Sequence, residues 1–441
     1  MSAGTEPLPW TERELLLLRG GTVVTARGRE LADVLVRGGT IERVGPGLEA
    51  PGAHVEDVAG LLLTPGFVDL HVHLRDPGDP ESETLESGLC AAAAGGIHHV
   101  FCMANTDPVN DAPEITGALC ERARAFSPIQ LHPVAAVTRG LCGDALSPFR
   151  DLRAAGAGGL SNDGLPVESP RVLGDALEQA HALGLPLMVH AEDRGLAAGG
   201  SVDARVAERL GARGIPVEAE DVGTARDVAV ALERGAPLHV CHVSTQGSVE
   251  IVRGARREGA SVTAEATPHH LWLTYDDIPE GDADFKMNPP LRAASDVDAV
   301  IAGILDGTVT CIATDHAPHA PARKARALDE APLGAIGLET SFAVAHTALV
   351  ATGRLPLERL IHLCVDGPAA VAGIDAPALA PGAPAQINVV DTREEWTVDP
   401  GRLRSRSRNC PFKGRSVGAR VVGMVCGTRW LRVPEAGATA S

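Results

Sequence analysis

Residues 65–78 read Pro-Gly-Phe-Val-Asp-Leu-His-Val-His-Leu-Arg-Asp-Pro-Gly, a short apolar run that ends in two imidazoles, His71 and His73. Four more apolar runs end in the same manner. Asp163 follows Gly-Leu-Ser-Asn, His190 follows Pro-Leu-Met-Val, His242 follows Leu-His-Val-Cys, and Asp315 follows Cys-Ile-Ala-Thr. A buried strand that finishes in an imidazole or a carboxylate delivers that group to one rim of a parallel barrel, where active sites of that fold lie. A single His-x-His is a common accident of sequence; five such endings in serial order are not. Neutral imidazoles and carboxylates together suit Zn2+ and similar divalent ions, and one carboxylate can bridge two of them.

Working outward from these runs, eight strands are expected, at 67–73, 98–104, 130–137, 157–161, 186–190, 237–243, 261–266 and 308–314. Alanine-rich segments of helical period separate most of them. Alternation of short apolar runs with helices argues for parallel βα units, and eight units argue for a closed (β/α)8 TIM-type barrel in the α/β class. No Gly-x-Gly-x-x-Gly follows any strand, so a nucleotide-binding open sheet has little support. Residues 13–60 alternate apolar and polar around Gly-rich turns, and the pattern returns near the C-terminus in Ala-Gln-Ile-Asn-Val-Val-Asp and in Gly-Ala-Arg-Val-Val-Gly-Met-Val-Cys. These are either two separate appendages or one small β-sandwich built from both termini. The second reading gives residues 1–64 as the N-terminal part of the sandwich, 65–375 as the metal-dependent barrel and 376–441 as the C-terminal part.

A chain of 441 residues with 44% hydrophobic and 22% charged residues is an ordinary globular composition, long enough for such a barrel and its appendage. No apolar stretch reaches the roughly 18 residues that cross a bilayer, and no basic, then apolar leader opens the chain, so a cytoplasmic protein without a membrane partner is expected. The nine scattered cysteines form no Cys-x-x-Cys and read as buried thiols of a reducing compartment. A formal charge of −18 argues against a nucleic-acid partner and requires any anionic substrate to be caught by local arginines.

His71 and His73 can hold one ion, and His190 with His242 a second across the barrel mouth, with Asp163 between the pairs. Structural zinc sites are closed, Cys-rich and local in sequence; this set is Cys-free and drawn from the whole barrel, which reads as catalytic. An ion there ionises water near pH 7 rather than about 15.7, producing a nucleophile for carbonyl or phosphoryl centres. Asp315 is a further ligand, the base that moves the proton, or both. Arg75 offers a planar fork that fits a carboxylate, unless it pairs at the surface with Asp76 or Asp79. Asn105, Asn288 and His319 follow strands two, seven and eight and face the same mouth, unless they cap turns.

Taken with Met-Ala-Asn-Thr, Ser-Asn-Asp-Gly, Val-His-Ala-Glu, Cys-His-Val-Ser, Thr-Pro-His-His-Leu, Lys-Met-Asn-Pro-Pro-Leu-Arg, Ala-Thr-Asp-His-Ala-Pro-His and Gly-Ala-Ile-Gly-Leu-Glu-Thr, the opening motif closely resembles the dihydroorotases of the class I bacterial type, in the amidohydrolase superfamily. The likeness runs, motifs in order, from residue 14 to 432. It implies reversible cyclisation of N-carbamoyl-L-aspartate to L-dihydroorotate in pyrimidine biosynthesis. It also implies one or two Zn2+ per subunit on His71, His73, Asp163, His190, His242 and Asp315, with Asp163 bridging if there are two. Asp315 becomes the general acid/base, and Arg75, Asn105, Asn288 and His319 hold the substrate, with Leu333 and Gly334 against its ring. As partners, the resemblance implies a homodimer or association with aspartate transcarbamoylase. The chain departs from the family at Asn162, where a second Asp is usual, and at Leu333, where Phe is usual.

Hydantoinases, allantoinases and the other dihydroorotase class bridge their ions with a carboxylated lysine on strand four. The only lysines here are Lys286, Lys324 and Lys413, so that bridge cannot be built. Two alternatives are an allantoinase- or hydantoinase-like hydrolase and a non-catalytic dihydroorotase-like subunit. The first is disfavoured by Arg75, Asn105 and His319, and the second by the complete ligand set. Residues 316–338 lack an apolar period and are expected to form a lid that orders over the mouth when substrate binds.

Overall fold

The computed structural model describes residues 7–433; residues 1–6 and 434–441, the extremes of the two expected terminal segments, lie outside the described residues. Eight strands occupy the expected places: β1 (Phe67–Val72), β2 (Ile97–Cys102), β3 (Gln130–Ala135), β4 (Gly159–Ser161), β5 (Leu187–Val189), β6 (Leu238–Val240), β7 (Val262–Ala266) and β8 (Cys311–Ile312). Each lies parallel beside the next. A parallel bridge between Val72 and His316 brings the two ends of the ring together, and His73 N–H donates to His316 O at 2.7 Å. Most strand residues are buried, because helices cover the outside and side chains fill the inside; this is why the sequence runs are continuously apolar rather than alternating. Val68, Leu70, Phe101, Met103, Val134 and Met188 plug the lumen, so the barrel interior is a core and not a pore.

The covering helices begin and end where local chemistry says they should. Thr245, three residues after His242, caps helix Gln246–Arg257 by accepting from Ser248 N–H at 3.0 Å. Helix Val217–Arg234 opens with Glu218 and Glu220 and stops at Gly235, whose φ of +60° a side chain would resist. No helix among the described residues is long and apolar enough to cross a membrane.

Both ends of the chain enter one nine-stranded mixed sheet. The join is antiparallel, from Ile387 opposite Pro65 to Val390 opposite Leu62. Every second residue, including Leu16, Leu18, Val34, Val36, Ile387 and Val389, enters a core of the sheet's own. The turn at Gly39 folds back on the other end, where Ala385 N–H donates to Gly39 O at 2.8 Å.

Where this sheet meets the barrel the contact is polar and buried. His98 at the start of β2 lies 3.1 Å from Asn388 Oδ1 and 3.1 Å from the Cys426 thiol, while Asn388 Nδ2 donates to Gly96 O at 2.8 Å. Burial, with His99 alongside, holds the His98 imidazole down at about 3, against 6.5 when unfolded. The folded protein therefore binds fewer protons, and stability present above pH 6.5 is lost as pH falls toward 3. His98→Gln should reduce the slope of stability against pH, between about 6.5 and 4, by about 1.4 kcal/mol per pH unit. Urea midpoints measured across that range will show it; an unchanged slope contradicts a neutral His98.

Candidate active site

Every residue expected at the site reaches the same end of the barrel. Twelve named side chains were expected there, and all but His71 line one cavity of about 230 Å³, together with Gly164 and Ala317; His71 lies beneath it. His190 directly follows β5, and His242 comes two residues after β6. Asp163 and Asp315 lie two and three residues beyond β4 and β8, in turns rather than in strands. Arg75, His242 and Asp315 all hold left-handed backbone, with φ of +55°, +33° and +46°. Non-glycine residues adopt that conformation at a cost of about 1–3 kcal/mol, and it aims each side chain inward as the chain leaves its strand.

Asp163 is the centre. Its Oδ1 lies 3.3 Å from His71 Nε2, 3.6 Å from His190 Nδ1 and 3.6 Å from His242 Nε2, and its Oδ2 lies 3.4 Å from His73 Nε2. Asp315 Oδ1 faces the first pair, 3.2 Å from His73 Nε2 and 3.5 Å from His71 Nε2. Two compact triads result, His71–His73–Asp163 and Asp163–His190–His242, and they share the Asp163 carboxylate.

Burial alone would keep Asp163 and Asp315 neutral. The charge of His71 and the other nearby imidazoles outweigh it, and both carboxyls are held below their usual range. Conversely, burial opposes charge on His71 and His190, yet the carboxylates win: His71 is raised well above the ordinary histidine value and His190 to about 10. His73, buried beside Arg75, is pushed down. His71 Nε2 and Asp163 Oδ1 are buried and have no hydrogen-bond partner among the described residues. A nitrogen and an oxygen that face each other without a bond, in a Cys-free set of imidazoles and carboxylates, fit a divalent cation.

Arg75 is not a surface ion pair. Asp76 is taken by Arg122 and Asp79 by Arg323, at 2.8 and 2.7 Å. Arg75 Nε donates to Pro318 O at 3.2 Å, and among the described residues no carboxylate lies within 4 Å of its nitrogens. The neighbouring His319 ring, lowered to about 2 by burial and by Arg75, is neutral. It donates Nε2–H to Leu333 O at 2.7 Å and keeps an unpartnered acceptor at Nδ1.

The asparagines are engaged on the metal-ligand side. Asn105 Oδ1 lies 2.8 Å from His73 Nδ1, and Asn288 Nδ2 donates to Glu192 Oε1 at 3.0 Å beside His190 Nε2 at 3.2 Å. Asn162 points away from the cavity: Thr138 satisfies it, through N–H to Oδ1 at 3.0 Å and Nδ2–H to Oγ1 at 2.7 Å, so the missing family carboxylate alters no charge at the cavity wall. Glu192, Glu265 and His239 were not expected from sequence. Glu192 stood two residues beyond His190, but the other two look like ordinary strand residues.

The segment 316–338, expected to form a lid that orders when substrate binds, packs along the rim of the cavity. It carries a short helix, Pro321–Lys324, and is fastened by a buried ammonium: Lys324 Nζ donates to Gly334 O at 2.9 Å, Pro332 O at 3.1 Å and Lys286 O at 3.2 Å. Asn409 completes the clamp, donating to Gly334 O at 2.9 Å and Ala317 O at 3.0 Å and accepting from His319 N–H at 3.2 Å. These bonds hold the wall formed by His319, Leu333 and Gly334. Apolar periodicity could not announce it, because charged and amide groups on backbone carbonyls hold it.

Comparison with known proteins agrees with this geometry. The dihydro-orotase-like family model matches residues 60–248. The dihydroorotase of Anaeromyxobacter dehalogenans is 45% identical over 94% of this chain and 97% of its own length. That of Geobacillus kaustophilus is 47% identical over 83% and 86%. Among solved structures, the L-hydantoinase (dihydropyrimidinase) of Arthrobacter aurescens superposes with a TM-score of 0.85 at 26% identity, covering 97% of both chains.

Lys324→Met leaves buried Pro332 O without its donor, at a cost of about 1–3 kcal/mol, and removes one of two donors from Gly334 O and from Lys286 O. Amide hydrogen exchange across 317–335 should accelerate about tenfold or more, with the amides of β1–β8 unaffected. Mass-spectrometric exchange will test this; equal protection in both proteins contradicts the clamp.

Proposed function

The chain belongs to the dihydroorotase family of cyclic amide hydrolases, and we propose that it is a zinc enzyme of the class I bacterial type that interconverts N-carbamoyl-L-aspartate and L-dihydroorotate. Arg75 carries this reading. A partly buried guanidinium with no carboxylate partner, across a small cavity from the Asp163–Asp315 cluster, suits a substrate that brings its own carboxylate next to an amide. With no lysine before Lys286, the bridging role falls to Asp163, which two ligand triads share. Eight of the nine free cysteines are buried, in keeping with the cytoplasm as its compartment.

His71, His73, Asp163 and Asp315 would hold one ion, and His190, His242 and Asp163 would hold a second. When bound, such ions supply Lewis acidity, which acidifies water and polarises a carbonyl. The protein's own groups do the rest. The Arg75 fork grips the substrate carboxylate. Neutral His319 offers Nδ1 to a ring N–H, and Leu333 and Gly334 form the wall against which the ring lies. Asp315, ionised in the resting site, takes a proton from the attacking water and passes it to the departing ring nitrogen. Cyclisation runs the same path backwards and begins with Asp315 protonated.

Purified protein should turn over both compounds, contain zinc, lose activity to a chelator and regain it with Zn2+. Preferential hydrolysis of hydantoin, dihydrouracil or allantoin would overturn the assignment. Cyclisation consumes one proton, so the equilibrium ratio of dihydroorotate to carbamoyl-aspartate should fall about tenfold per pH unit, about 1.4 kcal/mol.

Asp315→Asn should retain the fold and much of the metal yet lose at least 10²-fold in kcat, since an amide carries no proton. Arg75→Lys should act on kcat/KM through weaker carboxylate binding, because an ammonium has no planar fork. Near-wild-type kcat in the first, or unchanged kcat/KM in the second, removes that residue from its role.

A further inference from the structure

Beneath His71, a chain of polar side chains crosses an otherwise apolar lumen. Glu265 on β7 is fully buried, and imidazoles take both its oxygens: Oε1 lies 3.0 Å from His71 Nδ1, and Oε2 lies 3.0 Å from His239 Nε2. His239 on β6 is closed at its other nitrogen by Thr263 Oγ1 at 2.8 Å. Leu70, Met188, Cys241, Cys311 and Ala313 belong to the apolar cluster that packs this lumen. Cys241 and Cys311 bring the same groups near metal-ligand spacing, but both His239 nitrogens and both Glu265 oxygens are already spent on hydrogen bonds. The cluster thus acts as a support for His71.

What it supports is one atom. A carboxylate only accepts, so the His71 nitrogen facing it must carry hydrogen. That leaves Nε2 for a ligand, and Nε2 is the atom that lies 3.3 Å from Asp163 Oδ1 and has no hydrogen-bond partner among the described residues. We propose that Glu265 is a positioning residue for the metal centre: it fixes the tautomer and ring orientation of His71, and its charge strengthens Nε2 as a donor. His239 holds the far oxygen, so the carboxylate cannot rotate away from His71. The proposal rests on reading His71 as a metal ligand. Partners of this kind are typically worth 10–100-fold in metal affinity.

Glu265→Gln keeps the volume of the side chain but turns one oxygen into a donor, which then faces an N–H of His71 or of His239. Competition with a chromogenic chelator, without substrate, should show zinc held about 10–100-fold more weakly, while the far-ultraviolet spectrum stays unchanged. Folded Glu265→Gln that holds zinc as tightly as the wild type overturns the proposal. A second measurement avoids the variant altogether. In the zinc-loaded wild type with 15N-labelled histidine, His71 should show hydrogen on Nδ1 and metal on Nε2; the opposite tautomer overturns it equally. Glu265-dependent zinc binding without turnover of carbamoyl-aspartate would leave this proposal standing and remove the activity assigned above.

Discussion

The Asp163 carboxylate, withdrawn from water and surrounded by four imidazoles, is the constraint on which the rest of the structure depends. Burying such an ion costs several kcal/mol even after the surroundings relax, and only matching charge can offset that. None of the match is local. Its partners come from β1, β5 and β6, spread from residue 71 to 242, and they come within 3.3–3.6 Å only when the ring of strands is complete. Barrel closure and charge compensation are thus one requirement. The left-handed backbone at His242 fits this requirement, because its imidazole reaches the common point as the chain turns sharply away from the strand, and Arg75 and Asp315 turn in the same manner.

The walls of the cavity answer to the other end of the chain. Strand Gln386–Thr397 meets the barrel where β2 begins, through Asn388, and the chain then crosses to the opposite rim before returning as Ser416–Cys426. On that rim Ser405 Oγ and Arg406 N–H donate to buried Glu83, which also faces His316, the residue that bridges to β1. Asn409, four residues on, holds Ala317, His319 and Gly334. The terminal sheet therefore delivers the segment that holds the cavity wall, so the shape of the cavity depends on sheet and barrel together.

How much of this could be read in the residues follows from which interactions leave a periodic trace. The eight strands could be read because burial on both faces demands continuous apolar runs, and the residues that meet at Asp163 because they end those runs. Pairing of the two termini could be read from alternation at Leu16–Leu18 and Ile387–Val389. Where bonds run to carbonyl oxygens, nothing periodic remains: Lys324 and Asn409 made 316–338 look like an unattached loop. Asn162 looked like a lost charge beside Asp163, because adjacency in sequence does not say that its side chain turns to Thr138. Glu265 and His239 stayed hidden for a related reason, since a polar residue inside a strand is marked as functional only by the partner it meets across the barrel.

The net charge of −18 opposes an anionic substrate, but that field and Arg75 act over different distances. Salt confines the field of surface carboxylates to roughly 8 Å at physiological ionic strength, whereas Arg75 acts on a ligand already inside the cavity. There the guanidinium is partly withdrawn from water and lacks a carboxylate partner. A cyclic amide without a carboxylate leaves it so, while one that carries a carboxylate completes an ion pair that the fold has left half built. The shared barrel explains the close superposition on a hydantoinase; it says nothing about which amide is chosen. Arg75 is the residue proposed to make that choice, and its position depends on the same turn, at +55°, that carries the chain away from His73.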